Sequence, residues 1–235
     1  MDRVDLAPFH RAWERFSGWL ATNAPYNHAT LGPPATEEQI AAVEEAYGFA
    51  LHPELKALLR LHNGTPPDAS QPVFASFLPI GHRLSSTNQI IGARQTLMHF
   101  YNDFPENWGD CWEEEEVLAH SHQWVVFAEP NDGGMAFIDH RPGPTYGHVY
   151  EFGMGSGASE VTEWATSLSA LFDALATAVE TGTPFQGSHP TFLEFARTDI
   201  ASLASLVGRR FLEWNTDPQG PVPDDYIVHP VTGSR

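Results

Sequence analysis

The apolar residues of the chain fall first into helical periods. Phe9, Trp13, Phe16 and Leu20 recur at steps of four, three and four residues, one stripe of a helix predicted over residues 8–21. Residues 23–34, rich in Pro, Asn and Gly, read as a loop. A second helix starts at Thr36, whose hydroxyl can cap free backbone N–H groups while Gln39, three residues on, completes a capping box. Glu37 and Glu38 favour its first turn. Ile40, Val43 and Tyr47 form its apolar stripe, and Gly48 offers a left-handed stop. Pro53 suits the first position of a third helix, with Leu55, Leu58, Leu59 and His62 on one face and Asn63-Gly64 behind it.

The period then shortens. Phe77-Leu78-Pro79-Ile80 reads as a short edge strand, since its proline cannot donate to a ladder. Ser86 or Thr87 can cap a helix carrying Ile90, Ile91, Leu97, Met98 and Tyr101. Residues 124–128, 135–138 and 148–152 read as strands, and Asn131-Asp132-Gly133-Gly134 supplies hairpin chemistry between the first two. A long amphipathic helix is predicted over residues 162–180, burying Trp164, Leu168, Leu171, Phe172, Leu175 and Val179 and closing at Gly182. A last helix is predicted over residues 191–214, followed by a Pro- and Gly-rich tail without period. Helices, then clustered strands, then a helix argue for an α+β fold. The chain divides into a domain over residues 1–183 and a C-terminal extension, helical then irregular, over residues 184–235.

Charge narrows the function. Thirty acids face twelve Lys and Arg, a formal −18, and Lys56 is the only lysine. Such a surface repels phosphate backbones and anionic membranes and favours a basic protein partner. No apolar run approaches the 18 or so residues of a membrane span. The opening Met-Asp-Arg-Val-Asp lacks the basic region of a signal peptide, so a cytoplasmic location is expected. The acids are also uneven. Residues 95–140 contain no Lys or Arg but ten acids: Asp103, Glu106, Asp110, Glu113, Glu114, Glu115, Glu116, Glu129, Asp132 and Asp139. Trp108 and Trp112 sit in the densest part. A charge run of this kind is either a solvated loop or an interface with aromatic anchors inside an acidic rim. The candidate partner-binding set is therefore Trp108, Asp110, Trp112, Glu113, Glu114, Glu115 and Glu116.

Catalytic patterns fail one by one. Gly153-Met154-Gly155-Ser156-Gly157 lacks the glycine two residues before Ser156 that a nucleophile elbow needs, and no Gly-Lys-Ser/Thr makes it a phosphate loop. His120 and His122 would share a face if they lay on a strand, with Asp139 and His140 as further ligands. No His-Glu-x-x-His or cysteine pair supports that metal site. His62 reads as a satisfied core histidine or a partner of its helix C-terminus. Cys111 lies among acids, which disfavour its thiolate; as the single cysteine it allows no internal disulfide. No cofactor, metal or catalytic residue is expected, and the protein is not expected to be an enzyme.

The block from Leu31 to Gly64 resembles the SUKH superfamily, which includes the SMI/KNR cell-wall-assembly regulators and bacterial immunity proteins. The residues that carry the resemblance are Leu31-Gly32-Pro33-Pro34-Ala35-Thr36, Ile40, Glu44, Gly48, Leu51, Pro53-Glu54-Leu55, Leu58-Leu59 and Leu61-His62-Asn63-Gly64. Leu78-Pro79, Trp124-Val125-Val126-Phe127, Gly133-Gly134, Asp139, Gly147-His148-Val149 and the segment Trp164 to Leu175 extend it over roughly residues 13–182. One departure is His52, which separates Leu51 from Pro53 where the family often has Leu-Pro adjacent. The resemblance implies a mostly antiparallel sheet flanked by helices that serves as a binding scaffold. Bacterial members commonly neutralise polymorphic toxins, many of them nucleases; fungal relatives are regulatory hubs. The function so implied is an immunity protein that binds a basic toxin domain, with a regulatory scaffold as the alternative. A third reading, an unrecognised hydrolase, requires a pocket where groups such as Asp132, Asp139 and His140 converge.

Overall fold

The computed structural model describes residues 5–65, 76–103, 117–130, 133–153, 161–198, 201–217, 220–222 and 224–232. Four helices come first: α1 (Ala7–Asn23), α2 (Pro25–His28), α3 (Glu37–Tyr47) and α4 (Pro53–Leu61). Next come β1 (Arg83–Leu84), α5 (Thr87–Asp103), β2 (Trp124–Glu129), β3 (Met135–Asp139), β4 (Val149–Phe152), β5 (Val161–Ala165) and α6 (Leu168–Thr181). The chain ends in β6 (His189–Phe195), β7 (Arg210–Asn215) and β8 (Tyr226–Pro230). Strands β1 to β5 form an antiparallel sheet in chain order, and β6 to β8 a second antiparallel sheet ordered β7-β6-β8. The fold is α+β, with the main sheet antiparallel and flanked by helices.

Strands β2 and β3 are near-continuous hydrophobic runs because both of their faces are covered. Val125, Phe127, Ala136 and Ile138 join the principal core with α1, α3, α4 and α6. Trp124, Val126, Phe137 and Tyr150 face the other way, onto Ala93 and Leu97 of α5. Trp124 and Phe137 stack there at 3.9 Å between ring centroids. The helix ends obey their local chemistry. Thr36 and Gln39 form the expected capping box, and Ser86 with Gln89 forms a second at α5 (Gln89 N to Ser86 Oγ 3.4 Å, Ser86 N to Gln89 Oε1 2.9 Å). Helix α1 lies on α6, where Phe172 meets Phe9, Trp13 and Phe16 at 6.2, 4.7 and 5.9 Å.

Four predicted segments differ in the structure. Residues 23–34, read as a loop, contain the one-turn helix α2. Residues 77–80 do not form a strand: Leu78 makes one isolated bridge to His82, and Pro79–Gly81 is a 3₁₀ turn with Ile80 at φ 56°. The predicted helix over residues 162–180 starts late. Val161–Ala165 pairs with β4, and the helix begins at Leu168 behind Ser167, whose hydroxyl accepts from Ala170 N at 3.0 Å. Trp164 is buried, as expected, but from a strand. The predicted helix over residues 191–214 is instead β6, a 3₁₀ segment (Ala201–Leu206) and β7, and the tail supplies β8. Phe192 pairs with Leu212 on one side and His229 on the other. Those partners lie too far along the chain for a local period to reveal them.

The second sheet is stitched to the helical layer. Leu212, Trp214 and Val231 belong to the same buried cluster as Phe16 and Phe77. The Trp214 indole N–H donates to Phe77 O at 2.9 Å, and Trp19 stacks on Phe192 at 5.9 Å. Asn27, fully buried at the end of α2, accepts from Leu212 N at 2.8 Å and donates to Leu212 O at 3.4 Å and Ser76 O at 3.3 Å. Its carboxamide acts as a peptide unit that continues the ladder beyond the outer edge of β7.

Candidate partner-binding surface

Trp108, Asp110, Trp112, Glu113, Glu114, Glu115 and Glu116 lie outside the described residues. What flanks them is defined. Helix α5 precedes them and the 3₁₀ segment Val117–Gln123 follows, and the two pack together beside β2. Arg94 joins these flanks: its Nη1 donates to His122 O at 2.5 Å, and its guanidinium stands 5.0 Å from the Tyr47 ring. His120 and His122 therefore sit on a 3₁₀ segment, not on one face of a strand. Their rings are 6.1 Å apart, and among the described residues no three His, Cys, Asp or Glu group to hold a metal.

Of the other candidates for chemistry, Asp132 lies outside the described residues, and Asp139 and His140 are buried and occupied. Asp139 accepts from Arg141 N at 2.8 Å and from the Thr145 hydroxyl at 2.7 Å, which closes the turn between β3 and β4. His140 Nε2 accepts the His52 backbone N–H at 2.8 Å, so its proton sits on Nδ1 and is donated to Ile138 O at 3.0 Å. His52 is the residue that interrupts Leu-Pro. It caps α4, its Nδ1 accepting from Glu54 N at 3.3 Å. Gly147 leaves room for that ring, since a Cβ there would come within 2.7 Å of His52 Nε2. The adjoining Glu54 is also buried and takes both Ser169 N (3.1 Å) and Ser169 Oγ (2.5 Å), tying α4 to the start of α6. His62, half-buried at the end of α4, has Nδ1 3.0 Å from Gly32 O. These side chains position backbone, and none of their hydrogen bonds leaves a convergent acid–base pair.

Burial pushes the His140 imidazole down to about 4, and lowers His52 in the same direction. Above pH 6.5 the imidazole is neutral in both folded and unfolded chains, and its bonds contribute in full. Between pH 6.5 and about 4 only the unfolded chain takes up the proton, so stability falls by roughly 3 kcal/mol; below that it levels. His140→Gln keeps an acceptor and a donor without a titrating ring. Urea denaturation at pH 7.5 and 4.5 should show a pH-dependent loss smaller by roughly 2–3 kcal/mol in this variant than in the wild type. An equal loss in both would show that His140 does not carry it.

The junction of α4 and α5 explains why the Leu31–Gly64 block is built as it is. Gly32 N donates to Gly64 O at 2.8 Å, Asn63 N to Pro33 O at 2.7 Å, and Thr87 N to Asn63 Oδ1 at 2.8 Å. Gly64 has φ 69°, and a Cβ on it would lie 2.3 Å from Ser86 N. A family model, described as SMI1 / KNR4 family (SUKH-1), matches residues 34–174, more than half of the chain. The chain belongs to the SMI1/KNR4 family. No curated protein matches it. The span of this SUKH-1 match opens at that junction and ends within α6, so α1 and the β6–β8 sheet lie outside it.

One surface of this SUKH-1 chain was hidden from sequence reasoning. The outer face of β6–β8 and the segment after β7 enclose a cleft of about 500 Å³. The alternation of Phe211 and Glu213 against Leu212 and Trp214 is the signal that could have exposed it. A helical reading of residues 191–214 scatters those four residues around a cylinder.

Proposed function

We propose that this SUKH-1 protein is an immunity protein that neutralises a basic partner toxin by direct binding, without catalysis of its own. The observation that carries this reading is charge: thirty acids against twelve Lys and Arg, with ten of the acids in a segment free of Lys and Arg. A toxin that acts on nucleic acid must present a basic groove, and an acidic protein can cover it. The contact set is Trp108 and Trp112 inside the rim of Asp110 and Glu113 to Glu116. The family supports the reading through its immunity members. Among the described residues, no helix is long and apolar enough to cross a membrane.

The test is co-expression with any toxin-like protein encoded beside it. Wild type should rescue growth and copurify, and the association rate should drop by on the order of tenfold between low and high salt. Trp108→Ala with Trp112→Ala should weaken binding by about 3 kcal/mol or more, roughly a hundredfold, in a calorimetric titration. Wild-type affinity in the double variant would place the contact elsewhere. Failure of any neighbouring toxin to bind would instead favour a regulatory scaffold with several weak partners. Deleting the chain beyond Pro184 does not test that alternative cleanly, because Phe185, Leu212 and Trp214 would leave the core.

A further inference from the structure

The cleft on the β6–β8 sheet has two kinds of wall. Leu193, Val228 and Tyr226 form an apolar floor on the outer sheet face, and Val222, 45% exposed, also lines the cleft. Among the described residues, Glu213 and Asp217 are its only charged lining residues, so this lining carries negative charge and no Lys, Arg or His. The nearby cations are already paired away from it. Arg210 and His229 hold Glu194 at 3.2 and 2.9 Å, and Arg197 holds Asp225 at 2.8 Å. The Glu213 carboxylate has no hydrogen-bond or ion-pair partner among the described residues. Although its side chain reaches solvent, the surrounding cleft partly desolvates it and raises its carboxyl above the ordinary range.

The chemistry of the walls selects the occupant. Two carboxylates are too few for a divalent cation, and they repel an anion. An apolar floor beside an unpaired carboxylate suits a long methylene stem ending in a cation. The volume is large enough for such a side chain together with the backbone that carries it. We propose that this cleft is a docking site for a lysine or arginine side chain of a partner protein, held by Glu213 against Leu193, Val228 and Tyr226. The site deepens the reading of a basic protein partner and rests on it. It adds a second contact, outside the residues that match the family.

The full-length, isotope-labelled chain is titrated with acetyl-Gly-Val-Lys-Val-Gly-amide and with the same peptide carrying norleucine at its centre. The lysine peptide should shift the backbone amides of Leu193, Glu213 and Val228 to saturation, and bind about tenfold more tightly than the norleucine peptide. Glu213→Gln should remove most of that difference and leave the norleucine peptide unchanged. Glu213→Lys puts the protein's own ammonium in the cleft and should abolish lysine-peptide binding. Glu213 is exposed, so both variants should melt with the wild type. Equal binding of the two peptides, absence of saturable shifts at these amides, or an inert Glu213→Gln would each overturn the proposal. The peptide measurement needs no toxin. A toxin neutralised by wild type and by Glu213→Lys alike would remove the cleft from the contact while leaving the immunity reading intact.

Discussion

Gly64→Ala is expected to destabilise the fold by about 4 kcal/mol or more, enough to lower the melting temperature by roughly 10 °C in a chain of this size. Two costs add. The backbone holds φ 69°, where a Cβ is strained by about 1 kcal/mol. The new methyl would also stand 2.3 Å from Ser86 N and 2.5 Å from Ser85 C, both backbone atoms that cannot rotate away. Relief requires parting the segment around Gly64 from the start of α5. That movement stretches the bonds from Gly32 N to Gly64 O and from Thr87 N to Asn63 Oδ1. Gly48→Ala is the control. It has φ 76° but nothing within 4 Å of the added Cβ, so it should cost only about 1 kcal/mol. Thermal melts of the two variants separate strain from collision. Similar losses would show that Ser86 yields and that the junction is softer than its geometry implies.

Asn27→Ala is expected to cost about 3 kcal/mol, nearly all of it at the C-terminal sheet. The substitution leaves Leu212 N–H and C=O without their partner at a fully buried site, and removes the donor to Ser76 O. Backbone groups left unpaired in the interior cost more than the bonds they lose, because no water reaches them. Amide exchange should rise by about a hundredfold at Leu212 and its neighbours in β7, with little change in β2 to β4. The same exchange map reads out the proposed division of the chain near residue 183. A separate unit lets β6 to β8 exchange together ahead of everything else. A shared core, through Leu212, Trp214 and Val231, raises α1 and α2 with them.

Sequence and structure agree where the cause is local. The Thr36–Gln39 box, the stop at Gly48 and the start at Pro53 depend on atoms within four residues of one another, so the letters specify them. Strands β2 and β3 were legible for a related reason: a short apolar run bounded by Gly-Gly chemistry has few other ways to bury itself. The hub at His140 was not legible in the same way. His52 read as an interruption of a motif, whereas its backbone N–H and its ring are bonded to His140 and to the start of α4. Nothing at position 52 announces a partner 88 residues away.

From its letters alone, this chain determined an α+β, SUKH-like fold, the helix boundaries around Leu31–Gly64, and a strongly acidic character. Tertiary structure decided that the two ends of residues 191–214 pair as strands β6 and β7, that Trp164 is buried from a sheet, and that Glu213 faces a cleft. The physical reason is the range of the forces involved. Capping and turn preferences act along a few bonds, whereas a strand gains its ladder from a segment folding places beside it. The same distance hides the cleft, whose walls come from three strands and a loop that meet only after the chain has closed on itself.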